Sequence, residues 1–254
     1  MIDLHSHLLP GVDDGSRSVK QSVAVLDDMA RHGVTELCLT PHATASRADQ
    51  GVPEDHDRAY EALAPHVPSG IRLLRGAEVM LDRPLPAVVA ERRDFTINRT
   101  RYILVEFPRL VTPQTVAQAV SHVSDLGLIP LIAHPERYAC CTPTLVRLWK
   151  AGGAVTQVDA TTLFLPRTRG ERARDLVAHG LADILAADNH GDDRSVATAF
   201  EAMREQHALL QGELLITRNP RAILHDQEVE PVPPVEVRVS FLERLRTLFE
   251  RESS

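Results

Sequence analysis

His5 and His7 stand two residues apart in the segment Asp3-Leu-His5-Ser-His7, and alternate residues of an extended chain project to the same side. Two imidazoles so placed reach one metal ion. A lone H-x-H pair is weak, because polar side chains at a strand end are common. Six further residues of ligating type also follow short apolar runs. His42 follows Leu37-Cys38-Leu39-Thr40, Glu78 follows Leu73-Leu74, and Glu106 follows Ile103-Leu104-Val105. His134 follows Leu131-Ile132-Ala133, and Asp188 and His190 follow Ile184-Leu185-Ala186. Imidazole and carboxylate without thiolate suit zinc, manganese or iron better than calcium, magnesium or copper(I), and a carboxylate can bridge two ions. The twelve histidines fit that chemistry, whereas the three cysteines, Cys38, Cys140 and Cys141, have the spacing of neither a disulfide framework nor a C-x-x-C zinc site.

Ligands so scattered need elements that bring them together. Apolar runs read as strands at Thr35–Thr40, Ile71–Val79, Tyr102–Phe107, Ile129–Ala133, Ala154–Asp159 and Ile184–Asp188, after a first short strand that Asp3, His5 and His7 end or follow. Helical patterns lie between them. One runs through Val19, Val23, Leu26 and Ala30; one runs through Val116, Val120 and Val123, with Thr112 as N-cap and Pro113 in the first turn; a third carries Phe200, Met203 and His207. Alternation of this kind predicts a parallel sheet of βα units, and in a parallel barrel every strand's carboxyl end opens on the same face. The 254 residues, 43% hydrophobic and 25% charged, suit one such barrel, and the net charge of −7 argues against nucleic acid or an anionic membrane as partner. No apolar run approaches the ~20 residues of a membrane span, and the start of the chain does not read as a signal peptide. The cytoplasm is the expected compartment. Residues 1–226 read as the barrel, and 227–254 as a proline-bearing linker (Glu228–Glu236) followed by a short amphipathic helix through Phe241, Leu245, Leu248 and Phe249.

Seven motifs in order carry a resemblance: Asp3-Leu-His5-Ser-His7, Leu9-Pro-Gly-Val-Asp13-Asp14-Gly15-Ser16, Thr40-Pro-His42, Gly76-Ala-Glu78, Val105-Glu106, His134-Pro-Glu-Arg137-Tyr138 and Asp188-Asn-His190. From residue 2 to about residue 225 the chain resembles the PHP (polymerase and histidinol phosphatase) superfamily, and within it the manganese-dependent protein-tyrosine phosphatases of the CpsB/CapC type. The resemblance implies an α/β fold, a distorted TIM-like (β/α)7 barrel, holding up to three ions. These are Mn2+ by preference, with Fe, Co or Zn as substitutes. It places His5, His7, Glu78 and Asp188 on a first ion, lets Glu78 bridge to a second with Glu106 and His134, and gives His42, His190 and Asp14 to a third, with Asp13 as second choice. Arg137 is the expected ligand of the substrate phosphate, a guanidinium being a planar fork of donors. Arg137 and Asp13 are the candidate catalytic residues. The implied reaction is attack of a metal-bridging hydroxide on phosphotyrosine in protein, the partner being the tail of a membrane-associated bacterial tyrosine kinase in polysaccharide synthesis, with homo-oligomers in some relatives. Ala43 and Asn189 stand where family members often have histidine and alanine, which bears on pocket shape.

Three other readings compete. Cys141 and Arg147 formally match the C-x5-R signature of cysteine-dependent phosphatases. That loop needs glycines whose N–H groups wrap the phosphate, and Thr142-Pro-Thr-Leu-Val instead predicts a helix start with Thr142 as N-cap. A small-molecule phosphoesterase, such as a histidinol phosphatase or a nucleotide-directed diesterase, has the same ligands, and a metal-binding scaffold without turnover is the non-enzymatic alternative. Arg92-Arg93 and the run Arg167, Arg169, Arg172, Arg174 read as solvated charges, with the guidance of an acidic tail as the lesser alternative. Glu136 is a candidate for orienting an imidazole or Arg137.

Overall fold

In the computed structural model, which describes residues 1–238, parallel strands alternate with helices along the chain. The strands are β1 (Ile2–Asp3), β2 (Glu36–Leu39), β3 (His42–Thr44), β4 (Arg72–Arg75), β5 (Glu78–Met80), β6 (Tyr102–Glu106), β7 (Ile129–Ala133), β8 (Val155–Asp159) and β9 (Ile184–Ala186). They form two sheets, β1-β2-β4 and β3-β5-β6-β7-β8-β9. The two are halves of one wall. β2 and β3 are a single stave interrupted at Thr40-Pro41, and β4 and β5 another interrupted at Gly76-Ala77, with Gly76 N donating to Leu39 O (3.0 Å) and Glu78 N to Pro41 O (3.1 Å) across the breaks. The ring closes where Asp188 N donates to His5 O (3.1 Å) and His7 N to Asn189 O (2.7 Å). The result is a seven-stave parallel barrel of the expected (β/α)7 kind, with β4/β5 broken where one continuous strand was expected and β3 added beyond the expected strand end at Thr40.

Helices α1 (Val19–Arg31), α2 (Glu54–Leu63), α3 (Ala87–Arg92), α4 (Pro113–Asp125), α5 (Pro143–Ala151) and α6 (Thr168–Ala178) connect successive staves, and α7 (Val196–Glu205), α8 (Leu209–Glu213) and α9 (Asn219–Leu224) follow the last. Thr112 and Thr142 cap α4 and α5 as their sequences predict, accepting from Thr115 N and Leu145 N. Two helical readings shift. The fully buried side of α1 is Ser22, Leu26 and Met29, with Val19, Val23 and Ala30 only half-buried around it. His207 lies beyond α7 with φ +60°, so it does not continue the Phe200-Met203 face.

Two apolar clusters follow the period of two along the staves. Ile2, Leu4, Cys38, Leu74, Tyr102, Leu104, Leu131, Ala133, Val155 and Ile184 pack inside the barrel over Ile97, Ile223 and Leu224. The alternate residues, among them Leu37, Leu39, Ile103, Val105, Ile132, Val158 and Leu185, pack outward under the helices. Continuing the inward parity past the last apolar residue reaches His42, Glu78, Glu106, Gln157, Asp159 and Asp188. One face of each stave therefore supplies core at its start and polar side chains at its carboxyl end.

Residues 228–236 form no helix or strand, yet they are fastened to the barrel. Asn219 holds Glu230 from both sides, donating to its O (2.9 Å) and accepting from its N (2.8 Å), and Val232 and Val237 are buried. The expected helix through Phe241 and Phe249 lies outside the described residues. Among the described residues no helix is long and apolar enough to cross a membrane.

Candidate metal centre

His5 and His7 present their Nε2 atoms to each other at 3.2 Å, fully buried. Glu78 Oε2 lies 3.3 Å from each, and Asp188 Oδ1 lies 3.2 Å from His5 and 3.3 Å from His7. Ligand atoms about 2.0–2.2 Å from one ion stand about 3.1–3.4 Å apart when they occupy adjacent positions around it. The four atoms therefore have the spacing of a coordination shell. Asp188 Oδ1 is buried without a hydrogen-bond partner among the described residues, which in a finished protein interior calls for a ligand.

The outer nitrogens of the imidazoles are spoken for. His5 Nδ1 faces Gln157 Oε1 at 3.0 Å, and His7 Nδ1 faces Asp13 Oδ2 at 2.8 Å. Since an amide oxygen and a carboxylate can only accept, each Nδ1 carries the proton and each Nε2 turns its lone pair inward. His190 repeats the device, its Nδ1 donating to Asp188 O at 2.9 Å.

A second group gathers His7, His42, His190 and Asp14. Asp14 Oδ1 lies 3.3 Å from His42 Nε2 and 3.4 Å from His190 Nε2, on a side chain 69% exposed. Its neighbour Asp13 turns the other way. Asp13 accepts from Gly15 N and His42 N besides the His7 ring, so it orients the His7 imidazole and ties its own loop to the His42 backbone. A third group is His42, Glu78 and Glu106, with His42 Nδ1 3.1 Å from Glu78 and 3.4 Å from Glu106. His42 thus faces two groups with its two nitrogens. His134 Nε2 meets the other oxygen of Glu78 at 2.7 Å. All nine residues of the expected ligand set converge, although His42 rather than His134 completes the cluster around Glu106.

The backbone bends to achieve this. Alternation past Ala133 would point His134 away from the interior, but its φ of +32° turns it in, and Asp188 has φ +49°. Left-handed backbone at a non-glycine residue costs on the order of 1–3 kcal/mol, a cost that tends to fall at sites of function. Opposite charges then shift one another. Burial opposes protonation of His5 and His7, but their carboxylate neighbours outweigh it and raise both, His7 strongly. His42 is pushed up to about 10, where burial is overcome by Glu106 and Glu78. Glu78 and Asp188 are held far down, burial being outweighed by the imidazoles and, for Asp188, also by Arg137. A cluster this eager for positive charge suits divalent cations, which would displace the protons.

Arg137 stands at the rim. Its Nη2 bonds Asp188 and lies 3.2 Å from Asp159 Oδ2, while its Nε is buried without a partner among the described residues. The next residue back, Glu136, is fully buried, accepts from Asp159 N at 2.9 Å, and is pushed up to about 8 by burial and by Asp159.

The profile of the family "capsular polysaccharide synthesis, CpsB/CapC" matches residues 1–225. The chain belongs to that family. Among CpsB/CapC relatives, "putative tyrosine-protein phosphatase CapC" of Staphylococcus aureus is 27% identical over 235 residues, 85% of this chain and 91% of the relative. "Tyrosine-protein phosphatase CpsB" of Streptococcus pneumoniae is 27% identical over 242 residues, 89% and 99% of the two chains. A solved structure described with YwqE from Bacillus subtilis and CpsB from S. pneumoniae, "unique metal-dependent tyrosine phosphatases", superposes with a TM-score of 0.78 at 27% identity, over 94% of this chain and 100% of that one. An organophosphorus hydrolase variant from Deinococcus radiodurans shares the barrel alone, at 13% identity and a TM-score of 0.52, over 88% and 92% of the chains.

Three residues around this CpsB/CapC centre had no part in the expected site. Gln157 Oε1 serves both His5 Nδ1 and His134 N (3.2 Å). Asp159 holds Arg137 and the hydroxyls of Thr161 and Thr162. Asp3, fully buried beneath the cage, accepts from His5 N and Ala187 N. The available signal was polarity inside an otherwise apolar strand, as in Val155-Thr-Gln157-Val-Asp159. The cysteine reading gains no ground: Cys141 is buried, its thiol pushed up to about 12 chiefly by that burial, and α5 begins two residues later.

Proposed function

We propose that this chain is a metal-dependent phosphotyrosine-protein phosphatase. The observation that carries the reading is the cage of His5, His7, Glu78 and Asp188, four donor atoms at coordination spacing with an orphaned carboxylate oxygen among them. Similarity to proteins named tyrosine phosphatases over nearly the whole chain supports the substrate class. Mn2+ is the proposed native ion, up to three per chain, with Fe, Co or Zn as substitutes. His5, His7, Glu78 and Asp188 would hold the first, Glu78 with Glu106, His134 and the near nitrogen of His42 the second, and Asp14, His42 and His190 the third. When bound, such ions activate water as a nucleophile and neutralise phosphoryl oxygens.

The chain's own residues do the rest. Gln157 and Asp13 keep His5 and His7 in the tautomer that leaves Nε2 free, which makes Asp13 a positioning residue in this scheme. Asp159 and Asp188 fix the Arg137 fork so that its other N–H groups face an incoming phosphate. Residues 1–226 would be the catalytic unit, working in the cytoplasm on the phosphotyrosine-bearing tail of a membrane-associated kinase. Residues 227–254 would be an appendage, whose described part is strapped to the barrel by Asn219. The test is turnover of a phosphotyrosine peptide and of histidinol phosphate by metal-stripped protein before and after Mn2+ is added. Mn2+-dependent hydrolysis of the peptide is expected; selective hydrolysis of histidinol phosphate would transfer the chain to small-molecule chemistry.

A further inference from the structure

A cavity of about 780 Å³ opens beside Arg137, and four more arginines line it: Arg109, Arg167, Arg169 and Arg172. Three loops build it, those following β6, β7 and β8, so it shares the barrel mouth with the candidate metal centre. Its one lining carboxylate is Glu136, which is fully buried. Among the described residues, Arg109, Arg167, Arg169 and Arg172 have no carboxylate within ion-pair distance. Arg172 is nevertheless held in place, donating to Tyr138 O at 3.0 Å and Ala139 O at 3.2 Å. Its charge therefore points at the cavity without being neutralised.

Two features go against an ordinary solvated surface. The chain carries a net charge of −7, so five arginines around one opening are a local reversal of sign. Arg167 and Arg169 also occupy the N-cap and first turn of α6, the helix end where positive charge is unfavourable, with Glu171 as the acidic residue of that turn. Leu165 and Pro166 line the cavity as well, giving apolar footing for a peptide rather than for a bare ion.

We propose that this arginine-lined cavity is a second anion-binding subsite, which takes acidic side chains flanking the phosphotyrosine on the same peptide. The proposal rests on the phosphatase reading and adds a substrate preference to it. Arg137 is the hinge between the two sites, since it touches Asp188 of the cage and lines the cavity. A peptide whose phosphate reaches Arg137 would lay its neighbouring residues along Arg109, Arg167 and Arg169.

The experiment uses the Mn2+-loaded full chain and two phosphotyrosine peptides of equal length, one with glutamates flanking the phosphotyrosine and one with glutamines. The acidic peptide should have a KM about tenfold lower, because several charge contacts act together, and added salt should erode the difference. Arg167→Ser with Arg169→Ser should reduce the preference to about twofold or less, and Arg109→Ser, on a different loop, should reduce it in part. Equal KM values for the wild type, or a preference that survives in the double variant at unchanged melting temperature, would overturn the subsite. No turnover of either peptide would instead remove the phosphatase reading, and the subsite with it.

Discussion

Asp188 does three things at once. It offers Oδ1 to His5 and His7, bonds Arg137 through Oδ2, and accepts from His190 Nδ1 through its backbone carbonyl. Arg137, which pairs with Asp188 and Asp159, is assigned to the substrate side in the proposed scheme. Arg137→Ala should therefore keep its bound metal while kcat/KM for a phosphotyrosine peptide falls roughly 10²-fold, as measured by steady-state kinetics alongside metal analysis; wild-type kinetics would refute the phosphate-binding role. Cys141 offers the opposite expectation. With its thiol buried and pushed up to about 12, it stays protonated at neutral pH, so Cys141→Ser should retain activity within about twofold and iodoacetamide should leave wild-type turnover intact. Inactivation by either would restore the cysteine mechanism. Most of the candidate ligands were legible in the sequence because they end or follow apolar runs and barrel strands end on one face, whereas Asp14 was placed only by the family resemblance. Gln157 and Asp159 were not, since a polar residue inside a strand has no spacing that distinguishes support of a ligand from ordinary burial.

The loop from Leu8 to Ser18 explains its own glycine. A Cβ at Gly15 would stand 2.0 Å from His7 O and 2.4 Å from His7 Cβ, and Ser16 N donates to His7 O at 2.8 Å. The loop folds directly against a cage residue, with Asp13 on the His7 ring and Asp14 beside His42 and His190. Gly15→Ala should push His7 aside, lowering metal affinity by roughly 10–100-fold and melting the protein earlier; unchanged metal binding by calorimetry would show that the loop has room to move. Strand positions were legible through their apolar period, whereas the continuation as β3 past Pro41 and the break at Gly76-Ala77 were not. At Gly76 the cause is lateral: a Cβ there would come within 3.0 Å of Ile97 Cδ1 and 3.2 Å of Cys38 Sγ, contacts made by residues far away in sequence. The left-handed turn at His134 is similarly hidden, because nothing in Ala133-His134-Pro135 requires a positive φ.

Taken whole, the molecule is a ring of seven staves whose closure and whose chemistry meet at one seam. The bonds that join the first stave to the last involve His5, His7, Asp188 and Asn189, so residues of the cage also lock the barrel. The proline-bearing segment after α9 shows what composition conceals. Three prolines suggested a loose connector, but Asn219 and the burial of Val232 and Val237 tie it down. The charge balance likewise concealed a reversal, since the arginines of residues 167–172 gather with Arg109 and Arg137 only once the loops meet. Activity should depend on metal held by the cage of His5, His7, Glu78 and Asp188. Elemental analysis of wild-type and Asp188→Asn protein, purified without chelator and assayed on the same phosphotyrosine peptide, tests it most directly. Wild-type protein should carry up to three manganese ions per chain, and the variant should lose metal and hydrolysis together. Full hydrolysis by wild-type protein carrying no transition metal would contradict it.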